Sequence, residues 1–450
     1  MVEKKIADVV DSSRDAIVNH LSALVKIPSR TGEEGKAQEC VAAHYRALGL
    51  AVDVWEPDVR ELFEKYPDVA QYPSHWEHDL ILPYDELPSY DALMASGKQD
   101  VLNYRDRPNV VGVWKGSGGG KSLVLNSHID TVTVDPLQNW TADPFSGEIR
   151  GGLMYGRGTS DCKGGVIAAI EAVRCLRTLG IRLKGDVILE SVVNEEHAGN
   201  GTLACIARGY TADAVISGEP SDNKVRLGSS GGVYWGIGLT GRVLHTKSRW
   251  EGDTLQGVSA IEKLALVINE LLAMEAEQNK KPVAGLYAGS KPLSMTLGRV
   301  WGGSYDTASA GSCTLRGSIY FGPDVGSVGD VIREVKTRIG ECGRRDPWLK
   351  DNPPQCLFYH HDDAHRMDPD AEIVHVIRQA AEKTLGEKPP VIVGMAANDC
   401  RHQVNKGKMP AAVFGPGTGN QAHTIDESIR VGDLIDNVKV LATAICDWCG

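Results

Sequence analysis

The chain has 450 residues, 42% hydrophobic and 24% charged, an ordinary globular composition that can bury a core without disulfides. Its formal net charge of -11 argues against a nucleic-acid surface or an anionic membrane as the main partner. No apolar run follows the N-terminal lysines and no window offers the roughly 18 uncharged apolar residues of a membrane span, so a soluble, cytoplasmic chain of two or three domains with reduced cysteines is expected.

Residues 5–27 carry apolar side chains at three- and four-residue steps (Ile6, Val9, Val10, Ile17, Leu21, Leu24, Val25), the spacing of a helix. A second helix over Lys36–Leu48 closes at Gly49, and AVDVWEP alternates like a strand. Residues 57–108, rich in Pro, Tyr and acidic side chains, read as a surface insertion. The strand NVVGVWKG and a glycine turn at Ser117–Gly120 lead into SLVLNSHID, an apolar strand with a polar tip. A helix at Lys163–Leu179, the strand DVILESVVNEE, a helix at Gly201–Arg208 and the strand DAVISGEP follow. Alternation of this kind with continuously apolar strands predicts an α/β fold, a mostly parallel sheet flanked by helices.

The pattern changes at Gly228–Gly232. YWGIGLTGRVLH reads as a strand, Val258–Glu275 as a long helix, LSMTLGRVWGG and SCTLRGSIYFG as two strands, and Val331–Cys342 as a helix. That order fits an inserted α+β unit over 228–342, dividing a catalytic domain of residues 1–227 and 343–450. The wound pattern resumes with a helix at Ala371–Leu385, the strand PAAVFGPG and a closing helix at Asp433–Trp448. The His360, His361, Asp362, Asp363, His365 run reads as a polar surface loop, and the terminal Cys446–Cys449 pair as an exposed accident of sequence.

Metal-type donors recur just past the strands: His128 and Asp130 after SLVLNS, Asp161 in YGRGTSDCKGG, Glu195 and Glu196 after DVILESVVN, Glu219 in DAVISGEP, and His423 after the late strand. In wound sheets, functional groups gather at the strands' C-terminal ends. Imidazole with carboxylate suits zinc first, cobalt or manganese as alternatives. Two His and three or four carboxylates exceed what one tetrahedral ion needs and suit two ions sharing a carboxylate.

The segments LNSHIDTV, NWTADPFSGEI, GGLMYGRGTSDCKGG, ILESVVNEEHAGNGTLA, SGEPS, GLTGRVLHT and FGPGTGNQAHTIDES together resemble the family of acetylornithine deacetylase, succinyl-diaminopimelate desuccinylase, aminoacylase and glutamate carboxypeptidase, over nearly the whole chain. The resemblance implies that His128 and Glu219 complete one metal site, Glu196 and His423 the other, and that Asp161 bridges them. It implies that Asp130 orients the His128 ring and that Glu195 moves the proton from water to leaving nitrogen. The inserted unit would be a dimerisation lid, with His245 reaching the partner subunit's site in a homodimer. Arg401 in NDCRHQ matches a family arginine beside the site. The lid departs from the pattern. GGSYDTASAGSC (302–313) lacks the usual Pro-Asp, and Tyr320 and Phe321 stand where relatives place an arginine, with Arg316 nearby but out of register.

The expected function is therefore hydrolysis of a C–N bond, an amide of a small carboxylate-bearing substrate, with Arg401, Arg316 and His245 as substrate-binding residues. The same chemistry on an aromatic amine or amidine-like carbon is the alternative, permitted by Tyr234, Trp235, Trp250, Trp301 and Tyr305. A metal-free scaffold would require broken ligands, and all five ligand positions are intact.

Overall fold

The computed structural model describes residues 2–70, 90–95, 97, 103–394 and 396–450. The expected insertion at 57–108 therefore lies partly outside the described residues. Its described part is not merely superficial: Leu62, Val69 and Ala70 are buried against Leu203 and Ala204. The N-terminal helical run is two helices, Val2–Ser12 and Arg14–Val25, meeting at Ser13 and burying Ile6, Val10, Ile17, Leu21 and Leu24.

An eight-stranded sheet forms the body. In spatial order its strands are Ala51–Trp55, Asn109–Trp114, Val187–Val192, Leu123–His128, Ala214–Pro220, Ala411–Gly415, Val225–Leu227 and Val391–Val393. The four central strands from Val187–Val192 to Ala411–Gly415 run parallel, while Ala51–Trp55 and Asn109–Trp114 are added antiparallel at one edge. Every residue of Val187–Val192, Leu123–His128 and Ala214–Pro220 is buried, as continuous apolar strands covered on both faces must be. The helices Gly164–Thr178 and Val431–Cys449 pack together over one face. Because the central strands share a direction, the segments that follow them emerge along one edge.

The second sheet is antiparallel throughout, in the order Leu293–Gly302, Ser312–Phe321, Gly231–Thr240, Gln355–Asp362. Helices Ala260–Gln278 and Val328–Arg345 pack on it through Leu264, Val267, Leu271, Val335 and Ile339, around the fully buried Trp235. Two expectations change here. The strand predicted over YWGIGLTGRVLH ends at Thr240, and Leu244 and His245 lie beyond it. The sheet also takes its edge strand from Gln355–Asp362, past the boundary expected at 342. That strand ends in His360, His361 and Asp362 of the run read as a surface loop, with Asp363 and His365 just past it. His360, His361 and His365 are instead buried. Buried polar residues hid the strand from a hydrophobicity reading; Asp362 is 3.1 Å from His360 and pairs with Arg401, and His365 meets the Ser229 hydroxyl at 2.8 Å.

The ten cysteines are free. Cys446 and Cys449 are not an exposed pair: they lie on the closing helix, Cys449 fully buried, and burial pushes both thiols up to about 12. No described helix is long and apolar enough to cross a membrane.

Candidate metal centre

Asp161 occupies the middle of the site. Its Oδ1 lies 3.0 Å from His128 Nε2 and its Oδ2 3.5 Å from His423 Nε2, so the two oxygens face different imidazoles. On the His128 side, Glu219 Oε1 is 3.3 Å from the same Nε2. On the other side, His423 Nε2 meets Glu196 Oε2 at 2.8 Å. All five expected ligands are thus brought together, in two groups sharing one carboxylate.

Each ligand is delivered by local structure. His128 ends its strand, and Glu219 lies next to last in its own. Asn194, at φ +67°, turns the chain out of the Val187–Val192 strand so that Glu195 and Glu196 leave it as a loop. His423 also holds a left-handed backbone, φ +61°, costly for a residue with a Cβ and kept only where its surroundings demand it.

Asp130 meets the His128 ring through its main chain and not, as the resemblance implied, through its carboxylate. The His128 Nδ1 atom is 2.9 Å from the main-chain oxygen of Asp130 and 3.6 Å from its carboxylate, too long for a hydrogen bond. The carboxylate instead accepts from the Thr31 hydroxyl (2.8 Å) and from the backbone amides of Glu195 (3.1 Å) and Glu196 (3.2 Å). It therefore sets the position of the two glutamates.

Glu427, which sequence reasoning missed, anchors Asp161. It is fully buried and accepts from the backbone amides of Gly158 (3.0 Å), Ser160 (2.8 Å) and Asp161 (3.0 Å) while pairing with Arg157 at 2.7 Å. Three convergent amides shape the turn Thr159–Lys163 around one carboxylate. Glu427→Ala is expected to lower unfolding free energy by about 3–5 kcal/mol, because it leaves a buried guanidinium uncompensated. Urea unfolding checks this; a loss under about 1 kcal/mol would show that the turn holds itself.

The donor set fits divalent cations. Four carboxylates (Asp161, Glu195, Glu196, Glu219) crowd two imidazoles, and the buried Glu196 Oε1 has no hydrogen-bond partner. Burial, with the charge of Glu219, pushes the Glu195 carboxyl well above the usual range. Burial likewise raises Glu196 to about 7, against the pull of His423. A hydrogen bond to Glu196 lifts His423 to about 9. Burial disfavours charge on His128, yet the carboxylates of Asp130 and Asp161 hold its pKa well above the ordinary value. Such concentrated negative charge is the environment that bound cations neutralise. Across the two groups, His128, Asp161 and Glu196 place a donor atom from each residue within 4.8 Å of the others.

The expected substrate residues make other contacts. Arg401 is buried with its Nη2 atom 3.0 Å from Asp362, the last residue of the second sheet's edge strand, and with Asp399 at 3.8 Å. Arg316 stacks over the rings of Trp301 and Tyr359. His245 is exposed; its Nδ1 accepts from the Lys247 amide, and among the described residues it contacts none of the metal-type ligands.

Residues 124–447 match the family described as Peptidase family M20/M25/M40. The chain is 31% identical over 368 residues to the N-formyl-4-amino-5-aminomethyl-2-methylpyrimidine deformylase of Halalkalibacterium halodurans, covering 77% of this chain and 84% of that one. It is 25% identical to a succinyl-diaminopimelate desuccinylase of a Ruegeria species over 76% of this chain and 84% of that one. Among solved structures, the fold is similar to the di-peptidase Dug1p of Saccharomyces cerevisiae (TM-score 0.69, 15% identity, 99% of this chain and 98% of that one). It is also similar to the YXEP protein of Bacillus subtilis, a dinuclear metal-binding peptidase (TM-score 0.60, 12% identity, 97% and 99%). With the ligand geometry, these likenesses establish that the chain belongs to peptidase family M20/M25/M40 and is a metal-dependent hydrolase of C–N bonds.

Proposed function

We propose that the chain hydrolyses the amide of a small, carboxylate-bearing N-acyl amine with two divalent ions held by His128, Asp161, Glu196, Glu219 and His423. The observation that carries this reading is the placement of the two Asp161 oxygens toward different histidines, each with its own glutamate. Such ions, zinc by donor type with cobalt or manganese as alternatives, polarise a carbonyl and acidify water. Glu195 stands beside the ligands without being one. Its carboxylate would take a proton from the attacking water and hand it to the departing nitrogen. Asp130 and Glu427 are positioning residues that hold the glutamate pair and Asp161.

The second sheet supports a homodimer. Among the described residues its edge strand Leu293–Gly302 pairs on one side only, with Val300 62% and Trp301 45% exposed. His245, remote from its own site, would then act on the partner's site, stabilising the developing oxyanion.

A second reading has a specific observation behind it. The deformylase likeness extends over 77% of the chain, and the compound in that relative's name carries a formyl group on an aminomethylpyrimidine. A panel of N-formyl-aminomethylpyrimidine, N-formyl and N-acetyl amino acids, acetylornithine and succinyl-diaminopimelate separates the two. Acetylornithine and succinyl-diaminopimelate are expected to be poor, with kcat/KM below ~10⁴ M⁻¹s⁻¹. Phe321, where relatives have an arginine, is buried in the lid core, and Tyr320 hydrogen-bonds Tyr234 at 3.3 Å. Each lost charged contact costs roughly 10- to 150-fold. A value above ~10⁴ M⁻¹s⁻¹ on either compound contradicts a lid-altered specificity, and inactivity on every amide contradicts the amide reading.

A further inference from the structure

One guanidinium beside the metal-type ligands is ion-paired without a hydrogen bond among the described residues. Arg226 lies in the short strand Val225–Leu227, whose Arg226 faces Val413 of the neighbouring strand. Its Nη2 atom is 3.7 Å from Glu219 Oε2, outside hydrogen-bond range, and the buried Nε has no partner. Among the described residues this side chain makes no hydrogen bond, although only 11% of it is exposed. Room for it is kept by Gly394, where a Cβ would come within 2.8 Å of Arg226 Cδ.

A buried guanidinium has five N–H donors in a planar fork and pays a desolvation cost when they go unmet. The two arginines expected to bind substrate are differently placed. Arg401 is held in a closer ion pair, with Asp362 at 3.0 Å, although its buried Nε also lacks a hydrogen-bond partner, and Arg316 lies over aromatic rings. Glu219 is shared with His128 at 3.3 Å and is a ligand candidate, so bound cations would draw on its charge and leave Arg226 less compensated still.

We propose that Arg226 is a specificity-determining residue that receives the substrate's carboxylate, directly beside the metal ligand Glu219. This rests on the amide-hydrolase reading above and names the group that selects the anionic member of that substrate class. A carboxylate matches the guanidinium fork bidentately and satisfies the buried donors.

The test uses metal-loaded wild type, Arg226→Met and Arg226→Lys with a matched pair of amides, N-formylphenylalanine and N-formylphenethylamine, which differ only in the carboxylate. Wild type is expected to favour the acid. Arg226→Met should lose roughly 10- to 150-fold in kcat/KM on the acid, mostly through KM, and under about 3-fold on the amine. Arg226→Lys should recover part of the loss. Equal losses on both compounds, or no wild-type preference for the acid, overturn the proposal. If neither is cleaved, calorimetric titration with N-formylphenylalanine decides it. Binding that weakens in Arg226→Met upholds the anion site while the amide reading falls, and absent or unchanged binding overturns the site itself.

Discussion

Replacing Asp161 by alanine is expected to remove both divalent ions together and to lower turnover by at least roughly 10³-fold, the scale of losing several kcal/mol of transition-state charge stabilisation. The reason is geometric. One Asp161 oxygen faces His128 and the other faces His423, so each half of the site has lost a ligand once the carboxylate is gone. The substitution also removes the negative charge that separates two cations. Loss of one ligand from a single-ion site would instead leave the other half loaded. Elemental analysis after dialysis reads the outcome: near-complete loss is expected, whereas half-loading or unchanged content shows that Asp161 does not bridge.

Glu195→Gln is expected to keep its metal and to lose at least ~10²-fold in kcat, the usual scale for a positioned proton carrier. Glutamine preserves shape and the backbone amide that Asp130 accepts at 3.1 Å, so the Glu196 loop stays in place. What it lacks is a carboxyl that can cycle a proton. Metal loss rescued by excess cation would make Glu195 a ligand. The same variant tests the shared site. Glu195→Gln and His245→Ala protomers, each inactive alone, should regain activity on mixing, because one heterodimer site then has both residues. Mixtures that stay inactive after verified subunit exchange exclude catalysis in trans.

Much of the fold was legible because its strands are either wholly apolar or end abruptly in polar tips. SLVLNSHID announces both a buried strand and a donor at its end, and the structure places His128 there. The glutamates after DVILESVVN were legible for the same reason. His423 was not legible from periodicity, since it lies in an irregular loop; the motif around it carried that reading. The strand Gln355–Asp362 was missed because half its residues are polar, and the buried contacts of Asp362 with Arg401 and His360 are invisible in the sequence. Glu427 and Arg226 escaped notice for a related reason. Glu427 acts on a turn 267 residues away, and nothing local in HTIDES indicates that its carboxylate will collect three amides. Arg226 looks like any charged residue in a short strand until Glu219 and Gly394 are set around it.

The central claim is a pair of ions acting as one catalytic unit on a C–N bond. Titrating metal-free protein with zinc, cobalt or manganese while following hydrolysis of the best amide in the panel tests it most directly. Activity should be absent without metal, rise with added cation and level off at about two equivalents per chain. Full activity in the stripped protein, or a plateau at one equivalent with no further metal bound, would contradict the account.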